Sequence, residues 1–297
     1  MNILITGASG LIGTELTPYL QKQGHQVMKL TRNQTDDMYW RPEENIIHLP
    51  VDMHIDTVIH LAGENIAEGR WNKQKKQRIR SSRVEATALL ARTISALEPK
   101  PKIMLSASGI GFYGDRGDRI ITESDPAGVG FLADVSREWE AATRAAETTG
   151  IRVVHMRIAP VLSPNGGMLK RMLPAFRLGL GATLGSGKQY MSWITIDDVV
   201  RAMDFLLQTE TLEGPVNLCT PHPVSNREFT KTLGRILHRP AVFRIPHPIL
   251  KILFGELADK ELVASSRAIP DRLIKSGFKF EYPELEKGLH HLLGKSY

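Results

Sequence analysis

The sequence predicts an α/β protein: a doubly wound parallel sheet joined to a smaller, mainly helical C-terminal substrate domain. Three observations predict it. The apolar run Asn2-Ile3-Leu4-Ile5, short enough for a buried strand, leads through a glycine-rich turn into the helix-spaced segment Thr14–Gln23. Strand-like and helix-like segments then alternate over the first two-thirds of the chain, the pattern of a parallel sheet covered on both faces. Beyond Ala159 the texture changes to Gly- and Pro-rich connections around amphipathic helices. The expected division is residues 1–220 for a dinucleotide-binding domain of Rossmann type and 221–297 for the C-terminal domain. Residues 160–195 are expected to contribute to the substrate lobe, which would form the far wall of a cleft.

The elements follow in order. After the first strand and helix, Gln26–Leu30 reads as the second strand and Ile46–Leu49 as a short third. Thr57–Leu61 is the fourth, and Ser82–Leu97 is an amphipathic helix with Val84, Leu89, Leu90, Ile94 and Leu97 on its apolar side. Lys102–Ser106 is the fifth strand, Asp134–Thr149 a helix stopped by Gly150, and Arg152–Ile158 the sixth strand. These units suit the six-strand order of nucleotide folds, with right-handed crossovers. Farther on, Met168–Leu178 and Ile196–Leu207 are helical, the latter with Asp197 and Asp198 in its first turn, where the dipole favours them. Ser225-x-x-Glu228 is a capping box opening a helix to Leu237. The tail reads as helices Ile249–Ala258, Asp271–Ser276 closed by Gly277, and Glu284–Leu293.

A strand, a tight glycine turn and a helix in that order form a phosphate-binding corner. In Thr6-Gly7-Ala8-Ser9-Gly10-Leu11-Ile12-Gly13, Gly7 allows the sharp turn and Gly10 lets a pyrophosphate approach the backbone. Gly13 lets helix and strand pack closely, and the unpaired N–H groups of the first helical turn face the anion. An ordinary strand-to-helix loop is the bland alternative. Thr6, Gly7, Ser9, Gly10, Leu11, Ile12 and Gly13 are therefore candidate cofactor contacts. The second strand ends at Thr31-Arg32, roughly 20 residues on, where NAD-binding folds place an acid on the ribose 2′-hydroxyl. No acid stands there. Arg32 offers a permanently charged fork suited to a 2′-phosphate, so NADP(H) is expected over NAD; Asp36 and Asp37 read as loop.

Three strand ends belong beside such a cofactor. Leu61-Ala62-Gly63-Glu64 follows the fourth strand, and its small residues permit close backbone approach; Glu64 and Asn65 contact ribose or substrate, or else cap the next loop. Ser106-Ala107-Ser108 follows the fifth strand, where a hydroxyl can lie near a substrate carbonyl, and Arg157 ends the sixth near the nicotinamide.

Composition narrows the classes. With 297 residues, 42% hydrophobic and 24% charged, the chain can bury a full domain plus an appendage. One cysteine, Cys219, excludes an intrachain disulfide and reads as core filler. With no apparent signal segment and no long apolar stretch, a cytoplasmic protein without a membrane partner is expected. The net charge of +6 is concentrated in residues 69–84, whose seven basic residues exceed it by one. A solvated helix face or attraction of an anionic ligand accounts for that run better than nucleic acid, since only Trp71 interleaves it. The ten histidines show no ligand spacing beyond the pair His290-His291, so no metal is expected.

The chain resembles the extended short-chain dehydrogenase/reductases, specifically the branch called epimerase family proteins. The likeness runs nearly end to end. It rests on the Gly-x-x-Gly-x-x-Gly turn, His60-Leu61-Ala62-Gly63-Glu64-Asn65-Ile66, Trp71, Ser106-Ala107-Ser108 and Phe112-Tyr113-Gly114-Asp115. Phe131-Leu132-Ala133, Trp139-Glu140, Leu184-Gly185-Ser186-Gly187, Trp193-Ile194, Asp197-Asp198-Val199 and Phe278-x-Phe280-x-Tyr282-Pro283 extend it. The resemblance implies an NADP(H)-dependent fold, a small-molecule substrate of unassigned identity and, by analogy, a homodimer. It also exposes a departure. The superfamily's Tyr-x-x-x-Lys pair is absent, because none of the six tyrosines has lysine four residues on, and alignment by Glu140 puts Leu132 and Ser136 in its place. Ser108 and Tyr113 are the remaining catalytic candidates, although Tyr113 reads equally as a packed aromatic with its hydroxyl held by backbone. Trp193 is expected to pack an interdomain wall. Two function classes remain open: an oxidoreductase or epimerase-like enzyme, and an NADP(H) sensor without turnover.

Overall fold

The computed structural model describes residues 1–50, 52–256 and 263–294. The chain forms two compact units, each drawn from separated stretches. Residues 1–109, 135–157 and 200–216 make the first; 110–134, 158–199 and 217 onward make the second.

The first unit is organised by a six-stranded parallel sheet. Its strands are β1 (Asn2–Thr6), β2 (Gln26–Leu30), β3 (Thr57–His60), β4 (Ile103–Gly109), β5 (Arg152–Ile158) and β6 (Gly214–Leu218), in the spatial order β6-β5-β4-β3-β1-β2. Ile3, Leu4, Ile5, Val58, Ile59, Met104 and Leu105 are fully buried, as continuous apolar runs covered on both faces should be. Strand order reverses between β1 and β3, and in such sheets ligands bind outside the carboxyl ends at that switch.

Two strand expectations need correction. Ile46–His48 is not in the sheet; it pairs antiparallel with Tyr39–Arg41 in a separate hairpin, with Tyr39 opposite His48 and Arg41 opposite Ile46. Asn45, left-handed at φ 56°, turns the chain back directly after a short 3-10 turn, Pro42–Glu44. No helix-length crossover separates Ile46–His48 from β3, as parallel placement would need. The sixth place belongs to Gly214–Leu218, which the sequence reading left unassigned.

Helix α1 spans Leu11–Lys22, and helix α2 spans Lys73–Ser95 rather than starting at Ser82. The Asn72 side chain caps α2 by accepting the Lys75 N–H at 2.8 Å. The basic run therefore lies along the first turns of α2, with Lys73, Arg78 and Arg80 exposed. The expected Asp134–Thr149 helix is broken into α3 (Phe131–Ala141) and a short turn, Arg144–Glu147. At the break the Thr143 hydroxyl donates to the Glu140 carbonyl at 2.7 Å, a side-chain bond that competes with the helix ladder. The core of this unit joins Leu4, Leu30, Trp40, Val58, Leu90, Ile94 and Met104.

The second unit packs Leu169, Leu173, Phe176, Phe229, Leu233 and Leu289 from its helices, with Trp193 from the link before Ile194, into one core. Trp193 is fully buried there, its ring N–H donating to the His222 carbonyl. Ser225 caps the helix Asn226–Ile236, its Oγ accepting the Glu228 N–H at 3.1 Å, which is the serine half of the expected capping box. Cys219 is fully buried, as expected of core filler. The tail helix expected over 249–258 spans His247–Phe254; Leu257 and Ala258 lie outside the described residues. Among the described residues no helix is long and apolar enough to cross a membrane.

Candidate functional site

The glycine turn sits at the switch point and is close-packed on the end of β3. Gly7 is left-handed at φ +73°, and a Cβ there would lie 2.7 Å from the Leu61 carbonyl carbon and 2.8 Å from the Ala62 nitrogen. A Cβ on Gly13 would lie 2.4 Å from the Gly7 carbonyl oxygen. The Thr6 hydroxyl accepts the Ala62 N–H at 3.4 Å. Ser9 and Gly10 are exposed, and Leu11 and Ile12 are half-buried. Helix α1 opens at Gly10 with no side-chain cap and no acid in its first turn, so an anion would meet uncapped N–H groups and no opposing charge. Thr6, Gly7, Ser9, Gly10, Leu11, Ile12, Gly13, Leu61 and Ala62 thus lie together.

At the end of β2, Arg32 is exposed and makes no hydrogen bond or ion pair among the described residues. Asp36, read from sequence as plain loop, turns back to this strand end. It accepts from the Thr31 hydroxyl at 2.5 Å and from the Asn33 amide at 3.0 Å. The side chains that organise this corner therefore leave the guanidinium unengaged.

Beyond Ala62, Gly63 lies against the guanidinium of Arg83, which would be 3.3 Å from a Cβ on that glycine. Glu64 accepts from Lys75 Nζ at 2.7 Å and Arg78 Nε at 3.4 Å, and its N–H donates to Ser82 Oγ. The Lys75 hydrogen bond holds the Glu64 carboxyl below its usual range. Asn65 caps the following loop, accepting the Ala67 N–H.

Under these strand ends runs a buried polar chain. His60 contacts Thr6 Oγ1 at 2.6 Å through Nδ1 and Thr87 Oγ1 at 2.8 Å through Nε2, and Trp139 donates to the same Thr87 hydroxyl. Burial, with the Arg83 charge nearby, pushes the His60 pKa down to about 3. An unfolded chain takes that proton near pH 6.5. Stability is therefore complete above that pH and declines as pH falls toward 3. From pH 7 to pH 5 the expected loss is about 2 kcal/mol, absent in His60→Gln, as urea titrations at both pH values would measure.

The end of β4 carries the second constellation. Ser108 Oγ donates to Glu140 Oε1 at 2.8 Å. Arg157 grips the same carboxylate through Nε to Oε1 and Nη2 to Oε2, each at 2.8 Å. Arg157 and Glu140 side chains are only 5% and 11% exposed, which makes this a desolvated fork-to-fork pair. Ser106, opposite His60 in register, is buried with its hydroxyl unpaired. Tyr113 is fully buried and donates its hydroxyl to Asn217 Oδ1 at 2.7 Å, so a side chain engages its phenol. Its ring also packs edge-to-face on Phe112. The packed-aromatic alternative describes this geometry.

Sequence reading missed Glu140 and Arg83 as site residues. Glu140 was visible as the residue after Trp139, and Arg83 only as one charge in a basic run.

Residues 3–219 match the NAD dependent epimerase/dehydratase family, and residues 245–292 match a domain of unknown function, DUF1731. The chain belongs to the NAD-dependent epimerase/dehydratase family. Within it, an epimerase family protein of Mycobacterium tuberculosis is 42% identical over 290 residues, covering 97% of this chain and 96% of the relative. Epimerase family protein YfhF of Bacillus subtilis is 35% identical, covering 99% and 98%. The crystal structure of human epimerase family protein SDR39U1 with NADPH superposes with a TM-score of 0.91 at 31% identity, over 99% of each chain.

Proposed function

We propose that this family member binds NADP(H) and acts as an oxidoreductase or epimerase-like enzyme on a small carbonyl or sugar-like compound. The carrying observation is the glycine cradle at the switch point: Gly7 and Gly13 leave no room for a side chain, while Gly10 opens the uncapped start of α1. The NADPH found with the human relative supports the same reading.

Each residue has a task in this reading. The amides of residues 11–13 hold the diphosphate, and Arg32 holds the 2′-phosphate. Leu61 and Ala62 let the backbone approach the dinucleotide, and the unpaired Ser106 hydroxyl offers a donor at the neighbouring strand end. Bound there, the nicotinamide supplies the hydride chemistry. Ser108 is the hydroxyl assigned to the substrate oxygen. Because it donates to Glu140, its lone pairs remain available to accept a substrate proton, with Glu140 as the onward acceptor. Arg157 positions that carboxylate.

Arg32→Ala is expected to weaken NADPH by roughly 10- to 100-fold, the worth of a charged hydrogen bond of about 1.5–3 kcal/mol, while NADH stays nearly unchanged. Calorimetric titrations with both dinucleotides read this, and equal losses would contradict the phosphate role. The second reading, an NADP(H) sensor without turnover, is favoured by the missing Tyr-x-x-x-Lys pair and the engaged Tyr113 hydroxyl. NADPH absorbance followed across a panel of carbonyls and nucleotide sugars separates them. Turnover lost in Ser108→Ala supports the enzyme; tight binding with no turnover supports the sensor.

A further inference from the structure

The second unit carries an apolar and basic face that the proposed reaction does not use. Leu178 and Leu180, just after the helix Gly167–Arg177, are more than half exposed, and so are Val242 and Phe243. The two segments are neighbours. Ala182 pairs with Phe243 in a short parallel ladder, and a Cβ on Gly179 would lie 3.5 Å from Pro240 Cγ. Arg239 Nε donates to the Arg177 carbonyl at 3.0 Å. Four large apolar side chains thus stand in water on adjoining stretches of backbone, the kind of patch that marks an interaction surface.

The charge around this patch has one sign. Residues 161–196 and 229–255, which supply it, contain nine lysines and arginines and no acid. A cavity of about 450 Å³ opens between Arg177 and Arg239, with Leu237 and Leu293 completing its lining. Among the described residues the Arg177 guanidinium makes no hydrogen bond or ion pair. That charge selects the occupant. A second copy of the same face would bring like charges together, which opposes self-association. Nucleic acid would answer the guanidinia and leave the aliphatic side chains in water. A bilayer of acidic phospholipid meets both needs: the apolar groups enter the boundary between headgroups and acyl chains, and the cations meet phosphate.

We propose that this face docks on a membrane surface of anionic phospholipid, with Leu178, Leu180, Val242 and Phe243 in the interfacial layer and Arg177 and Arg239 on headgroup phosphates. A guanidinium fork suits a phosphate, and the cavity between the two arginines gives one headgroup room to enter. The sequence expectation of no membrane partner rested on the lack of a long apolar stretch, and a protein that lies on a bilayer needs none. Docking of this kind is peripheral and reversible, and it weakens as salt screens the charge.

The test sediments the full chain with vesicles of mixed phosphatidylglycerol and phosphatidylcholine, and with vesicles of phosphatidylcholine alone. Wild type should pellet with the acidic vesicles, less so as salt is raised, and stay in solution with the neutral ones. Arg177→Gln combined with Arg239→Gln should weaken partitioning roughly 30-fold, since each cation near an acidic bilayer is worth about fivefold. Leu178→Ser combined with Val242→Ser keeps the charge and should weaken it about tenfold or more. Both leucine and valine are mostly in water, so this pair should unfold in urea as wild type does, and it decides the matter should the arginine pair not fold. Arg70→Gln combined with Lys73→Gln removes the same charge from the other basic run and should change nothing. No pelleting of wild type, equal pelleting with neutral vesicles, or wild-type binding in the Leu178/Val242 pair overturns the proposal. Equal losses in the Arg70/Lys73 pair overturn it by making the attraction diffuse. An oligomer in light scattering that the Leu178/Val242 pair dissolves overturns it in favour of a second copy. All of this is read without NADPH, so the cofactor reading stands or falls separately.

Discussion

Glu140→Ala is expected to lower the free energy of unfolding by about 3–5 kcal/mol, because it leaves the Arg157 guanidinium buried without its carboxylate. The side chains are almost completely withdrawn from water, so solvent cannot replace the lost partner. Ser108 loses its acceptor in the same stroke. Glu140→Gln, which keeps one carbonyl oxygen for the fork, should cost clearly less. Urea unfolding followed by circular dichroism measures both, and wild-type stability in Glu140→Ala would remove Arg157 from its positioning role.

Gly13→Ala should have the largest effect on ligand binding. Its methyl would sit 2.4 Å from the Gly7 oxygen, 2.6 Å from the Ala8 Cα and 2.9 Å from the Ala8 carbonyl carbon. All three are backbone atoms of the turn itself, so relief requires the cradle to move. Overpacking of this kind costs about 1–3 kcal/mol. The displaced amides should lower NADPH affinity by on the order of 100-fold, since an ångström of misplacement is severe for preorganised contacts. Gly24→Ala is the control. Its Cβ would meet nothing within 4 Å, and only its φ of +83° makes alanine unfavourable. It should lose about 1 kcal/mol of stability with NADPH binding intact.

The contrast between these glycines shows what the sequence could disclose. The glycine turn, its strand and its helix are local, and their spacing alone put Gly7, Gly10 and Gly13 in the right relation. Most of the parallel sheet was legible because its central strands β1, β3 and β4 carry buried apolar runs. Ile46–His48 was misplaced because three residues of strand character carry no information about their partner; Asn45 and the 3-10 turn before it decided the pairing. The start of α2 was set too late because its first turns are basic and give no apolar stripe, while its cap, Asn72, is a single residue. Glu140 and Arg83 owe their surroundings to contacts between α3 and β4 or β5, and between α2 and β3. No local pattern encodes those. Tyr113 was ambiguous in sequence because a phenol serves as acid or as filler, and only its distance to Asn217 distinguishes them.

The sheet stops at β2. Among the described residues its outer margin pairs with no further strand of the sheet, and the chain leaves it through the parallel Thr31–Tyr39 bridge into the small hairpin. Gln26 and Lys29 stand exposed along that margin. A charged ammonium on a five-residue rim discourages lateral annealing with a strand from another molecule, so this boundary is guarded against fibril growth without being covered.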